Sequence, residues 1–182
     1  MSVIIGGGLY RSRVIEVPSY LDVPTKSVVR LAVGNALAEK INNANVLDLF
    51  AGSGAVGIEL ISRGATHCVF VDENQEAATL ITSNLQKLNC ACGEVISGDA
   101  INALETLAGT GRKFDIVFID PPYAEEALYG SSVQSLLDHD LLSPGAVVVV
   151  EYQKEPVLPL GSFARYKTYN YGKSHLLILW RS

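Results

Sequence analysis

Two periodicities divide this chain, and the switches between them mark its elements. Short apolar runs at Val46–Phe50, Cys68–Val71, Val95–Ser97, Phe114–Ile119 and Ala146–Val150 read as strands. Between them Ala55–Ser62, Gln75–Leu88, Ala100–Leu107 and Glu125–Leu137 carry apolar residues at helical spacing, with Gly64 as a stop after the first. Nearly continuous apolar strands, fully apolar in Ala146–Val150, need cover on both faces. The pattern therefore predicts an α/β fold around a mostly parallel sheet.

The two ends differ from this middle. Val3–Ile5 and Val14–Val17 flank Gly6-Gly7-Gly8 and Tyr10-Arg11-Ser12-Arg13, which suits an N-terminal hairpin or arm. Pro24-Thr25 opens a helix to about Lys40, with Val28, Val29, Ala32, Val33, Ala36 and Leu37 at helical spacing. Tyr166–Tyr171, Gly172 and Leu176–Trp180 read as a closing antiparallel hairpin. There is no internal repeat and no low-complexity linker. One domain over residues 1–182 is expected, with an arm and helix (1–40) ahead of a catalytic core (41–182).

Apolar residues make up 48% of the 182 and charged residues 18%, which predicts a globular, soluble chain. The N-terminus has no basic region before an apolar run, and no stretch is long enough to span a bilayer, so a cytoplasmic location is expected. Cys68 falls in an apolar strand and reads as a small buried hydrophobe. Cys90 and Cys92 are too close in sequence to favour a disulfide. The three histidines are scattered, so no metal site is expected.

Net charge is −5, but it is unevenly spread: +2 over residues 1–30, −11 over 31–160 and +4 over 161–182. An acidic body with two basic ends fits a polyanion-facing surface built from the termini. It fits equally well edge strands protected by lysine and arginine.

Two segments carry candidate chemistry. Gly52-Ser53-Gly54-Ala55-Val56-Gly57 follows a strand, and Asp72 ends the next one. The glycines let the backbone turn tightly beside a ligand, and Asp72 can accept both hydroxyls of a ribose. These roles serve a nicotinamide dinucleotide and S-adenosylmethionine alike. Asp48, at the end of its strand, would oppose a pyrophosphate but suits an ammonium or sulfonium. Asp99 can accept from an adenine amine, or cap the helix from Ala100.

The second segment is Asp120-Pro121-Pro122-Tyr123, after the strand Phe114–Ile119. An exocyclic amine on a base is a weak nucleophile because its lone pair is delocalised into the ring. The Asp120 carboxylate and the Pro121 carbonyl can bind its two N–H groups, the stiff Pro-Pro unit fixing the carbonyl's direction. Tyr123 can stack on a flipped-out base, an interaction of about 1–3 kcal/mol. Alone, the same four residues could be a turn. Methylation at a pyrimidine C5 needs a cysteine nucleophile, and none lies near this segment.

With these residues the chain resembles the RsmD family of 16S ribosomal RNA guanine-N2 methyltransferases. The likeness runs through Ile4-Ile5-Gly6-Gly7-Gly8 with Tyr10-Arg11-Ser12-Arg13, Pro24-Thr25, Asp48 to Gly54, Glu59, Ser62 to Ala65, Asp120 to Tyr123, and Tyr171-Gly172. It implies a Rossmann-like class I methyltransferase fold: a seven-stranded, mostly parallel sheet with a C-terminal antiparallel hairpin and an N-terminal β-arm plus helix. The donor would be S-adenosylmethionine, held by Asp48, Phe50, Ala51, Gly52, Ser53, Gly54, Asp72, Glu73, Asp99, Ala100 and Asp120. Asp120, Pro121, Pro122 and Tyr123 would handle the base. Arg11, Arg13, Arg30 and Lys173 would meet phosphates of ribosomal RNA, presented to a monomeric enzyme in a partly assembled small-subunit particle. The chain departs from the family around Pro24-Thr25. Where charges and an aromatic are usual it has Val23, Ser27, Val28, Leu31 and Gly34, and the arm begins Ser2-Val3 in place of an arginine.

Overall fold

In the computed structural model, which describes residues 1–20, 25–122 and 124–182, the predicted alternation is present. Strands β1 (Ser2–Ile4) and β2 (Val14–Glu16) pair by themselves as an antiparallel arm. Strands β3 (Asn45–Leu49), β4 (His67–Asp72), β5 (Gly93–Ser97), β6 (Phe114–Ile119) and β7 (Leu142–Tyr152) are parallel. The hairpin β8 (Arg165–Tyr171) and β9 (Ser174–Trp180) closes the sheet, with β9 antiparallel to both β7 and β8. The seven strands lie in the order β5-β4-β3-β6-β7-β9-β8. The chain moves outward from β3 to β4 and β5, then returns to lay β6 on β3's other side. The connections diverge there, which opens a crevice at the carboxyl ends of β3 and β6.

Both faces of the sheet are covered, as continuous apolar strands require. Val46, Phe70, Ile116, Phe118 and Val149 face α1 (Ser27–Ala36), α2 (Ala38–Ile41), α3 (Ala55–Ser62) and α4 (Gln75–Lys87). Leu47, Val69, Val117 and Val148 face α5 (Ala100–Ala108) and α6 (Ala127–Asp138). Phe70 fills space left by glycines. A Cβ on Gly57 would lie 2.3 Å from its Cε1, and one on Gly93 3.2 Å from its Cε2. Helix α3 therefore lies closer to β4 than an alanine at position 57 would allow.

Three element boundaries differ from expectation, each for a local reason. The helix expected to run to Lys40 breaks at Leu37 (φ −104°, ψ 9°), just after the weak helix formers Gly34 and Asn35. Strand β7 starts before Ala146, taking in Pro144 and Gly145 (φ 70°). Phe114 pairs with Leu142 but Ile116 with Val147, so the extra residues form a bulge that reads as a turn in sequence. Helix α6 starts at Ala127 because Glu125 N–H donates to the Pro122 carbonyl (2.9 Å), forming a turn first.

The arm packs along α3 and α4. Leu9 N–H donates to the Ser62 carbonyl (2.6 Å) and Tyr10 N–H to Ser62 Oγ (2.8 Å). Gly8 (φ 74°) permits this approach, since a Cβ there would lie 1.8 Å from the Ser62 carbonyl oxygen. Helices α3 and α4 run back from the crevice end of the sheet, so the arm's tip docks at their far ends. Its other end climbs toward the crevice, where Ser19 N–H donates to Glu76 Oε1 (2.8 Å) in the first turn of α4.

Candidate active site

A cleft of about 430 Å³ opens at the crevice. Phe50, Ala51, Gly52 and Ser53 form one wall, and Asp72 and Glu73 close it at the end of β4. Asp99 and Ala100 enter from α5, and Asp120, Pro121 and Pro122 from the end of β6. The two segments singled out in sequence thus share one cavity. Tyr123 lies outside the described residues.

The wall is shaped by left-handed backbone at Phe50 (φ 66°), Gly52 (φ 53°) and Gly54 (φ 71°), which folds the chain back over β3. Asp72 fixes the turn by accepting Gly52 N–H at Oδ2 (2.7 Å) and Asn74 N–H at Oδ1 (2.9 Å). Each oxygen keeps acceptor capacity beyond those bonds, as a ribose diol requires. Asp99 caps α5, accepting Asn102 N–H at Oδ1 (2.9 Å), while still lining the cleft.

Asp48, expected to face the ligand directly or through water, sits behind the loop. Its side chain is 2% exposed, is not part of the cleft wall, and accepts Gly57 N–H at Oδ2 (2.8 Å). Position 48 alternates onto the face beneath α3, so the carboxyl ties β3 to that helix and leaves ligand contact to the loop. Burial pushes it up to about 7; the Gly57 N–H opposes this and Asp72 adds to it.

Asp120 sits among other acids. Burial holds its carboxyl well above the usual carboxylate range, the charges of Glu151 and Asp48 push the same way, and the Thr25 hydroxyl opposes them from 3.4 Å. Glu151, on β7, is 3% exposed and also raised by burial, against a Ser174 hydrogen bond and the charge of Lys26.

Arg30, expected at the RNA surface, is placed among backbone carbonyls. It is 4% exposed, and its guanidinium donates to the Thr25 carbonyl (Nη1, 2.5 Å) and the Ile4 carbonyl (Nη2, 3.1 Å). Burial disfavours its charge and nearby Glu59 partly offsets this. It clamps the arm to the segment carrying Thr25. Arg11 and Arg13 are exposed, but at the arm's far end, where Arg13 Nη2 donates to the Lys87 carbonyl (3.2 Å). The 13 residues of α4 put that tip about 20 Å from the cleft. Lys173 is exposed in the β8–β9 turn, at the cleft end of the sheet.

Three contributors carried no assigned role in sequence. Tyr20 reaches the cleft from the arm, its phenol pushed up to about 12 by burial and by the charges of Asp72, Glu76 and Glu73. Thr25 gives a hydroxyl to Asp120; its signal was the Pro-Thr pair. Glu151 had one signal, an acid closing the run Val147 to Val150. Among the described residues, no group of three or more potential ligands could hold a metal ion. All three cysteines are free.

Comparison with known proteins agrees with this geometry. The family described as Conserved hypothetical protein 95 matches residues 3–180. Ribosomal RNA small subunit methyltransferase D of Escherichia coli K12 is 34% identical over 154 residues, covering 84% of this chain and 76% of the relative. A Bacillus subtilis protein provisionally named rRNA methyltransferase YlbH is 34% identical over 159 residues, covering 85% of each. An Escherichia coli structure provisionally named methyltransferase yhhF superposes with a TM-score of 0.88 at 30% identity, covering 100% of this chain and 99% of that one. The sheet with its antiparallel final strands is the class I methyltransferase fold, and the chain belongs to the RsmD family.

Proposed function

We propose that this chain methylates the exocyclic N2 amine of a guanine in small-subunit (16S) ribosomal RNA, using S-adenosylmethionine. One observation carries the reading: the Gly52–Asp72 wall and the Asp120-Pro121 acceptors line a single cleft. The relatives named for ribosomal RNA methylation supply the substrate class. The nicotinamide alternative, which the glycine spacing left open, loses its support with that family membership.

The residues fit the donor. Asp72 has both oxygens oriented by backbone N–H groups and can take the ribose diol. Gly98, Asp99 and Ala100 offer polar backbone beside a flat ring, and the start of α3 ahead of Gly57, whose own N–H goes to Asp48, favours a carboxylate. When bound, S-adenosylmethionine supplies an electrophilic methyl group on a sulfonium.

The chain's own groups do the rest. The Asp120 carboxylate and the Pro121 carbonyl accept the two amine N–H bonds, which draws the nitrogen toward a pyramidal shape and turns its lone pair outward. Thr25 holds Asp120 from the arm side. Tyr123 stacks on the base. Arg11, Arg13 and Lys173 meet RNA phosphates, joined by Arg165 and Lys167 on β8, which lie over the rings of Trp180 and Tyr169 at 4.4 and 4.7 Å.

Asp120→Ala is the direct test, with undermodified small subunits as substrate and labelled donor. Transfer is lost, while donor affinity measured by calorimetry is unchanged. Transfer surviving in that variant overturns the role given to Asp120. Methylation of DNA or protein in place of the subunits overturns the substrate.

A further inference from the structure

Glu151 is a buried acid that the reaction as described does not use. Ile119 pairs with Val150 across β6 and β7, so Asp120 and Glu151 come next at the same level. Phe118 and Val149, two residues earlier on each strand, belong to the same face of the sheet. Alternation therefore turns both carboxyls toward α1, side by side at the end of two neighbouring strands.

The surroundings of Glu151 do not settle a negative charge. The residue is 3% exposed, and its Oε2 has no hydrogen-bond partner. Ser174, itself 2% exposed, hydrogen-bonds the carboxyl from β9. Lys26, before α1, is the cation acting on it, and it stands in solvent. From β3 the neighbour of the pair is another acid, Asp48. Two carboxyls on adjacent strand ends, one of them buried and neither paired with a buried cation, do not readily both ionise, and one proton shared between them is the low-energy state.

Resting on the function proposed above, we propose that Asp120 and Glu151 act as one two-carboxyl unit that holds a single proton at rest and takes a second from the amine during methyl transfer. Glu151 is a positioning residue, acting on the substrate only through Asp120. Each member has one hydroxyl favouring its ionised form, Thr25 for Asp120 and Ser174 for Glu151. The resting proton is therefore finely placed. Amine N–H donors arriving at Asp120 favour its ionised form and shift the proton onto Glu151, so the substrate itself makes Asp120 a pure acceptor. As the nitrogen lone pair forms the N–C bond, the C–S electron pair leaves with sulfur and neutralises the sulfonium. The N–H proton passes to Asp120 while its bonding pair stays on nitrogen. The unit is then neutral and returns one proton to water after product leaves.

Two measurements test this, on wild type and on Glu151→Gln. Carboxyl carbon NMR of the free protein follows both acids through pH. In wild type, Asp120 and Glu151 each respond at two shared steps; in Glu151→Gln, Asp120 shows one step, at lower pH than the upper wild-type step. The pH profile of kcat/KM on small subunits keeps its acid limb near the lower wild-type step in the variant, because Asp120 beside a neutral neighbour ionises there. Independent single steps in wild type overturn the unit, even if the variant fails to fold. So does an acid limb that moves to much lower pH in the variant, because Glu151 would then already be ionised when Asp120 titrates. Shared steps in a protein that methylates no ribosomal substrate overturn the functional reading instead.

Discussion

Asp48→Asn separates a structural carboxyl from a ligand-facing one, and its consequence for stability can be worked out in advance. Burial lifts this group from an ordinary 3.8 to about 7, so over that range the native state keeps a proton that the unfolded chain has lost. The sign follows: stability from Asp48 is present below its unfolded value and disappears as pH rises toward the folded one. Each unit is worth about 1.4 kcal/mol, and roughly two units separate pH 5 from the folded value, so moving from pH 5 to pH 8 removes about 3 kcal/mol. Asparagine cannot ionise, and its carbonyl can still accept the Gly57 N–H. Its amide is a new buried donor that costs about 1–3 kcal/mol, equally at both pH values. The assay is urea unfolding of both proteins at pH 5 and pH 8 at constant ionic strength. Wild type loses about 3 kcal/mol more than the variant across that interval. A difference below about 1 kcal/mol refutes the reasoning, because it means Asp48 is hydrated or ionises normally in the fold.

Two further substitutions probe the packing that holds the cleft. Gly57→Ala brings a methyl group to 2.3 Å from Phe70 Cε1 in a close-packed core; stability falls by about 1–3 kcal/mol in chemical denaturation, with donor affinity falling as the loop shifts. Arg30→Ala leaves the Thr25 and Ile4 carbonyls without their buried donor and lowers stability by about 2–4 kcal/mol. The salt dependence of RNA binding is unchanged in that variant, because the guanidinium neutralises no phosphate. A shallower salt slope would return Arg30 to the RNA surface.

Sequence made the scaffold legible wherever one physical demand dominated. Val46–Phe50 and Phe114–Ile119 are apolar on both faces, with one acid each (Asp48 and Asp115), because both faces of the central strands are covered, and their order with the helices implies a parallel sheet. The glycine loop was legible because left-handed backbone at Gly52 and Gly54 and a helix packed on Phe70 at Gly57 favour residues without side chains. Charged residues were harder, since sequence gives their sign but not their surroundings. Arg30 lies on a helix of mixed pattern and reads as surface; its two acceptors are carbonyls at positions 4 and 25, one of them in a different element. Asp48 and Asp120 each end an apolar strand and look equivalent, yet one lines the cleft and the other lies under α3. Gly34, a departure from the family, has a tertiary reason: the Arg63 guanidinium lies over it, with Cζ 2.6 Å from where a Cβ would be.

The distribution of charge around the cleft bears on how an RNA enzyme can be acidic overall. Asp72, Glu73, Asp99, Asp120 and Glu125 line the cavity, and none of its lining residues is a lysine or arginine. A phosphate backbone is repelled from such a cavity, while a neutral base with its amine donors is not, and a cationic donor is drawn in. The exposed cations lie outside it, at Lys173 on the cleft side and at Arg165 and Lys167 along the outermost strand. That division suits a nucleotide turned out of its strand, its base among acids and its phosphates among cations. It also gives the acids under Asp120 a use. They cannot all be charged at once, and the proton they retain limits the negative charge beneath Asp120 before the amine arrives.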